Sequence, residues 1–292
     1  MDDRHKMPPP CALTIIGERI NDSIPSTHEL YERGDLDGIV ALARAQADGG
    51  AAYIDVNIGR RPPERMAELV RRIQPAVPCP LSIDSPDHAT AQAGLAALPP
   101  DAPMPILNSI SPLRTEMFGL YALRPFRPIL LISENTRDGR AAPCRTAEET
   151  YAAARQLLAA AQRAGIPIRD CIFDPGIAPL ATDTEGNLRR LMDTLRMLRD
   201  DPAFAGAHAS VGLSNFTVML PSKRADGTPV KAPLENAFLT RALPLGLDHI
   251  VGSVTRGYQT LPEGHPALLC LDNCLAADGY DTLLHVQDFY SA

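Results

Sequence analysis

Short apolar runs rich in β-branched residues alternate along this chain with longer segments whose apolar positions recur three and four residues apart. The first pattern predicts strands and the second predicts amphipathic helices. Strands are expected at Leu13–Gly17, Ala52–Asn57, Leu81–Asp84, Pro105–Ser109, Ile129–Ser133, Asp170–Asp174, Ala207–Leu213 and His249–Val254. Helices are expected at Asp35–Asp48, Pro63–Ile73, Asp87–Leu98, Thr146–Ala164, Thr184–Asp200, Pro233–Leu243 and Pro266–Ala277. Gly49-Gly50 closes the first helix, prolines open the second, and Thr146 with Glu149 forms a capping-box pattern. Ser111–Arg127 reads as a short helix, the stretch up to Cys144 as a polar loop, and the tail to Ala292 is ambiguous.

Parallel strands need crossover helices, so eight such units without a long linker predict an α/β fold of the (β/α)8 TIM-barrel type. A doubly wound open sheet is the rival. It usually carries a glycine-rich phosphate turn after its first strand, and Gly17-Glu18-Arg19-Ile20-Asn21 is not one. The chain of 292 residues is therefore expected to form one domain from residue 13 to 292, with residues 1–12 a disordered leader.

Composition narrows the function classes. The net charge is −7 and tryptophan is absent, which argues against a nucleic-acid surface. No run reaches the roughly 18 apolar residues of a membrane span, and Met1–Pro10 is polar and proline-rich rather than a secretion signal. A cytoplasmic protein is expected. The six cysteines are scattered and are expected as free thiols. Cys270 and Cys274 share a helix face and are read as buried apolar residues rather than zinc ligands.

The strand ends carry the chemistry. Glu18, Asn21, Asp55, Asn57, Asp84, Asn108, Asp174 and Asn215 all fall where strands finish, and a barrel's active site is built from its C-terminal strand ends. Singly, each could cap a helix or make a turn. Together they predict a ligand with many donors and acceptors. Arg19 is read as a structural partner for a rim carboxylate. Lys223, Arg224 and Lys231, in the long loop Phe216–Ala232, are read as an anion or partner contact, with a solvated loop as the alternative. No histidine is assigned to catalysis.

In order, Ile-Gly-Glu-Arg-Ile-Asn (residues 16–21), Asp-Val-Asn-Ile-Gly (55–59), Ile-Asp-Ser-Pro (83–86), Asn-Ser-Ile-Ser (108–111), Phe-Asp-Pro (173–175) and Gly-Leu-Ser-Asn (212–215) resemble the pterin-binding methyltransferases. The likeness is to methyltetrahydrofolate:corrinoid protein methyltransferases and to the folate-binding module of cobalamin-dependent methionine synthase. It runs from Leu13 to about Ala277. It implies transfer of the N5-methyl group between methyltetrahydrofolate and the cobalt of a corrinoid, a cobalamin, held on a separate protein. Asn215 matches the residue next to N5. Asp84, Asn108 and Asp174 match the pterin-ring binders, and Glu18, Asn21, Asp55, Asn57 and Ser214 are expected to line the same substrate site. No metal is expected in this chain, and a homodimer is. Two rivals stand beside this reading: a dihydropteroate synthase, which usually has a late Ser-x-Arg motif and a lysine-bearing strand end where this chain has Asp-Pro-Gly-Ile, and a non-catalytic pterin-binding module.

Overall fold

A computed structural model describes residues 13–291. The expected leader lies outside the described residues. Eight parallel strands close into a barrel: β1 (Thr14–Asn21), β2 (Tyr53–Asn57), β3 (Leu81–Asp84), β4 (Ile106–Ile110), β5 (Arg127–Leu131), β8 (Ile172–Asp174), β9 (His208–Gly212) and β10 (His249–Gly252). The remaining pair, β6 (Glu134–Arg137) and β7 (Arg140–Pro143), is an antiparallel hairpin outside the barrel. β1 closes the ring against β10, with Thr14 opposite His249 and Gly17 opposite Gly252. The helices are α1 (Pro25–Glu32), α2 (Leu36–Asp48), α3 (Pro63–Ile73), α4 (His88–Ala97), α5 (Ala147–Arg163), α6 (Asn187–Asp200), α7 (Lys231–Ala242), α8 (Pro266–Ala276) and α9 (Tyr280–Ser291). The fold is a (β/α)8 TIM barrel.

The departures from the sequence expectation have local causes. β1 runs on to Asn21, through a register shift between Gly17 and Ile20. Ser111–Arg127 holds a 3-10 turn at Thr115–Ala122 instead of an α-helix, so β4 reaches β5 without a regular helix. The stretch taken as a polar loop is the β6–β7 hairpin. Its turn residues Asp138 and Gly139 both have positive φ, 52° and 73°, the geometry that lets a two-residue turn follow the twist of its strands. Thr146 caps α5 by accepting from the Glu149 N–H at 3.2 Å, but the Glu149 carboxylate accepts from Arg145 N–H, one residue outside the usual box. The tail is α9, packed along α8. The thiols of Cys270 and Cys274 are buried between these helices and face the carbonyls of His285 and Thr282.

Strand pleating sets the depth of the site. Ile16, Ile106, Ile129 and Ile172 form one buried cluster, with Tyr53 and Val251 packed against it. These residues come from six different barrel strands, so they can meet only across the barrel's interior. Side chains return to the same face every second residue. The next inward layer therefore reads Glu18, Asp55, Asn108, Leu131 and Asp174, with Ser82 and Ser210 leading to Asp84 and Gly212. An apolar plug lies directly beneath a polar layer.

Candidate functional site

That polar layer lines a cavity of about 600 Å³ at the C-terminal mouth, bounded among others by Glu18, Asn21, Asp55, Asp84, Asn108, Asp174, Ser214 and Asn215. Its size is that of a small-molecule pocket, which runs to roughly 300–1,000 Å³. Asn57 is not among the lining residues. It stands behind the wall, donating to Asp84 at 2.9 Å and accepting from the Gly59 N–H. Asn21 borders the cavity while its Oδ1 accepts from the Ser23 N–H and hydroxyl, so half of its carboxamide is used by the local turn.

Three carboxyl groups form the floor. Ser82 donates to Asp55 at 2.6 Å and Asn108 donates to the same oxygen at 3.3 Å. Burial raises the pKa of Asp55 well above the usual range, and the neighbouring Asp84 raises it further. Burial raises Asp84 too, offset by Asn57 and by Asp55 itself. Two carboxylates this close cannot both ionise freely, so the pair keeps a proton to higher pH than an isolated aspartate would. Asp174 accepts from the Gly176 N–H at 2.8 Å and from Ser210 at 3.2 Å. Burial nevertheless pushes its pKa up to about 6.

The lip is less polarised. Asn215 is exposed and sits on a 3-10 turn, Leu213–Thr217, that follows β9. Its carboxamide folds back over Gly212, where an added Cβ would lie 2.9 Å from Nδ2. Glycine at 212 is thus a matter of space, not of backbone angle. The adjacent Ser214 donates to Glu18 at 2.7 Å. Burial is the main reason that the Glu18 carboxyl is harder to ionise than usual.

Residues that sequence reasoning passed over hold these groups in place. Arg190, on α6 and 7% exposed, donates to Pro175 O at 2.8 Å, Gly176 O at 3.3 Å and the Thr150 hydroxyl at 3.0 Å. It fixes the turn whose Gly176 N–H holds Asp174. Arg114 ties the end of β4 to the hairpin through Ser109 and Glu134. Glu235 on α7 is fully buried, accepts from Thr217 at 2.6 Å and pairs with Arg256 at 2.8 Å. Arg256 is also the cation that most favours ionised Glu18. Arg19 is exposed and makes no close ion pair among the described residues; its charge still favours ionised Glu18, less than that of Arg256, and its backbone N–H donates to Gln46. Within the long loop, Lys223 is exposed, while the Arg224 guanidinium lies 4.8 Å over the Phe289 ring and Ala225 N–H bonds Tyr290 O. One of the three residues of the expected basic cluster, Arg224, is therefore spent on holding α9.

Arg190→Met should leave the buried Pro175 carbonyl and the half-buried Gly176 carbonyl without this donor. An unmade buried bond costs about 1–3 kcal/mol, so denaturant unfolding should show a loss of that order. Unchanged stability would mean that the three bonds contribute nothing net.

A family model for pterin binding enzymes matches residues 17–251. A methylcorrinoid:tetrahydrofolate methyltransferase of Eubacterium limosum is 28% identical over 246 residues, covering 82% of this chain and 84% of its own. A probable bifunctional folylpolyglutamate synthase/dihydropteroate synthase of Haloferax volcanii is 30% identical over 171 residues, 54% of this chain but 20% of that protein. Among solved structures, a dihydropteroate synthase of Xanthomonas albilineans with 4-aminobenzoic acid superposes with a TM-score of 0.55 at 18% identity, covering 86% of this chain and 89% of that one. One from Vibrio fischeri gives 0.56 at 16% identity, covering 84% and 88%. At those identities the likeness is one of fold alone.

Proposed function

The chain belongs to the pterin-binding enzyme family, and from that premise we propose that it transfers a methyl group between N5 of a tetrahydrofolate and the cobalt of a corrinoid carried by a separate protein. The observation that carries this reading is the similarity to a methylcorrinoid:tetrahydrofolate methyltransferase along more than four-fifths of both chains. The cavity supports it. A pterin edge offers an array of N–H donors, and Asp55, Asp84 and Asp174 supply acceptors with Asn108 beside them. The cobalt belongs to the partner, and this reaction needs no metal on this chain.

In the direction from methyltetrahydrofolate, the N5–CH3 bond breaks, its electron pair stays on nitrogen, and N5 takes up a proton. The methyl group is captured by the electron pair of Co(I). Asn215 cannot supply that proton, but its carboxamide oxygen can accept from the N5–H as charge develops there. Glu18 is the proposed proton carrier, a reading supported by its raised pKa and by its bond to the serine next to Asn215. In the opposite direction it receives the proton.

The exposed apolar residues Val218 and Met219, three and four positions after Asn215, and the exposed Lys223 are the parts of the loop proposed to meet the corrinoid protein or a folate tail. No helix of the described residues is long and apolar enough to cross a membrane. The proposal includes a cytoplasmic homodimer on the family resemblance alone, which sedimentation would test.

The deciding experiment mixes the purified protein with methyltetrahydrofolate and cob(I)alamin and follows the visible spectrum. Conversion to methylcobalamin, with no consumption of p-aminobenzoate in a parallel assay, is expected. No transfer in either direction would overturn the proposal.

Pterin affinity should also depend on pH in a definite sense. The Asp174 carboxyl, with its pKa near 6, is an anionic acceptor above that pH and a protonated one below. Binding should therefore weaken as pH falls through about 6, by up to tenfold per pH unit, and level off above it. Calorimetry across pH 5–8 checks this. The step near 6 should vanish in Asp174→Asn, and its persistence there would assign it to another group.

A further inference from the structure

The opposite end of the barrel carries a cluster that the methyl-transfer reading does not use. His208 and His249 open β9 and β10, and Asp248 precedes His249. His208 Nδ1 lies 2.6 Å from one Asp248 oxygen and His249 Nδ1 lies 2.7 Å from the other. One donor atom from each residue falls within 4.8 Å of the other two. The rings stack edge to face with centroids 4.7 Å apart. The Ala209 N–H fixes the carboxylate by donating at 3.1 Å. His208 and Asp248 are each close to 30% exposed, with side-chain values of 28% and 29%, whereas His249 is buried. Arg127, which starts β5 at this same end, turns its guanidinium to the Tyr53 hydroxyl and Arg169 O.

We propose that His208, Asp248 and His249 form a binding site for a divalent first-row transition ion at the N-terminal end of the barrel. The donor set points to this class of ion. Two imidazoles and one carboxylate suit zinc, cobalt or iron, whereas the oxygen-only residues of the opposite rim suit hard cations poorly matched to nitrogen. Four donors at about 2.1 Å around a tetrahedral ion lie about 3.4 Å apart. The two short N···O contacts need to open by less than 1 Å to reach that spacing. The backbone N–H on Asp248 is the kind of supporting contact that orients a ligand before metal arrives. Three protein donors leave further positions for water on the exposed side. Because the ligands start adjacent strands, the ion would staple β9 to β10 at the end opposite the pterin cavity.

The test uses the whole chain, freed of metal and titrated with Co(II). One Co(II) per chain is expected, with visible ligand-field bands and a rise in melting temperature. His208→Gln and Asp248→Asn, which keep a polar group and the Ala209 contact respectively, should each weaken binding at least tenfold. His265→Asn, at the half-buried N-cap of α8, where asparagine can keep the bond to the Ala267 N–H, should not. Absence of any band with the native protein overturns the proposal and leaves a metal-free His–Asp–His clamp. Bands that persist in the His208→Gln/Asp248→Asn double variant also overturn it, because the ion is then held elsewhere.

Discussion

Asn215→Ala should lower kcat for methyl transfer by about 10²–10³-fold while changing pterin affinity far less. Loss of one preorganised partner at a developing charge typically costs about 2.7–4 kcal/mol. Asn215 is suited to such an effect because its carboxamide is held over Gly212 at the lip, away from the floor carboxylates that carry ground-state recognition. Alanine removes the carboxamide and leaves the Ser214–Glu18 bond in place. Single-turnover transfer between methyltetrahydrofolate and cob(I)alamin, measured beside equilibrium binding, separates the two quantities. A variant with the native rate would move the assignment away from residue 215.

The second large effect concerns binding. Asp84→Ala and Asp174→Ala should each weaken methyltetrahydrofolate by about 10–150-fold, from the roughly 1.5–3 kcal/mol that a hydrogen bond to a charged group contributes. The two should differ in kind. Removing Asp84 also takes the acceptor from the Asn57 amide N–H and releases Asp55 from its like-charged neighbour, so Asp55 should ionise more readily. Removing Asp174 strips a partner from Ser210 and from the Gly176 N–H. Calorimetry of the two variants decides it: native affinity in both would place the pterin elsewhere.

The strand-end residues were legible in the sequence because two rules compound: side chains repeat every second position, and strands of a barrel end together. Ile16 and Glu18, Ile106 and Asn108, or Ile172 and Asp174 are such pairs, apolar below and polar above. What supports them was not legible. Arg190 sits amid a helix rich in arginine, and nothing local distinguishes it from Arg189, whose guanidinium reaches the end of α8 instead. Glu235 and Arg256 meet across elements whose adjacency only the closed ring creates. The hairpin escapes the sequence pattern although Asp138-Gly139 is a strong turn signal, because β6 is polar throughout and β7 carries two adjacent alanines, so neither shows the alternation that marks a half-buried strand. Asn21 does line the cavity, but Asn57 stands behind its wall, since sequence position gives a residue's height on the barrel but not which hydrogen bonds its carboxamide has already made.

The isoleucine layer beneath the carboxylates has a consequence for the order of events. Hydrocarbon closes the barrel from below, so protons and water can enter or leave the pterin chamber only through its mouth. On the proposed reaction, the same opening must admit the partner's cobalt. A docked partner would then act as a stopper. The proton destined for N5 would have to be aboard before the partner seats, and the proton released in the reverse direction would have to wait until it leaves. Proton traffic and methyl traffic share one door, and they must take turns.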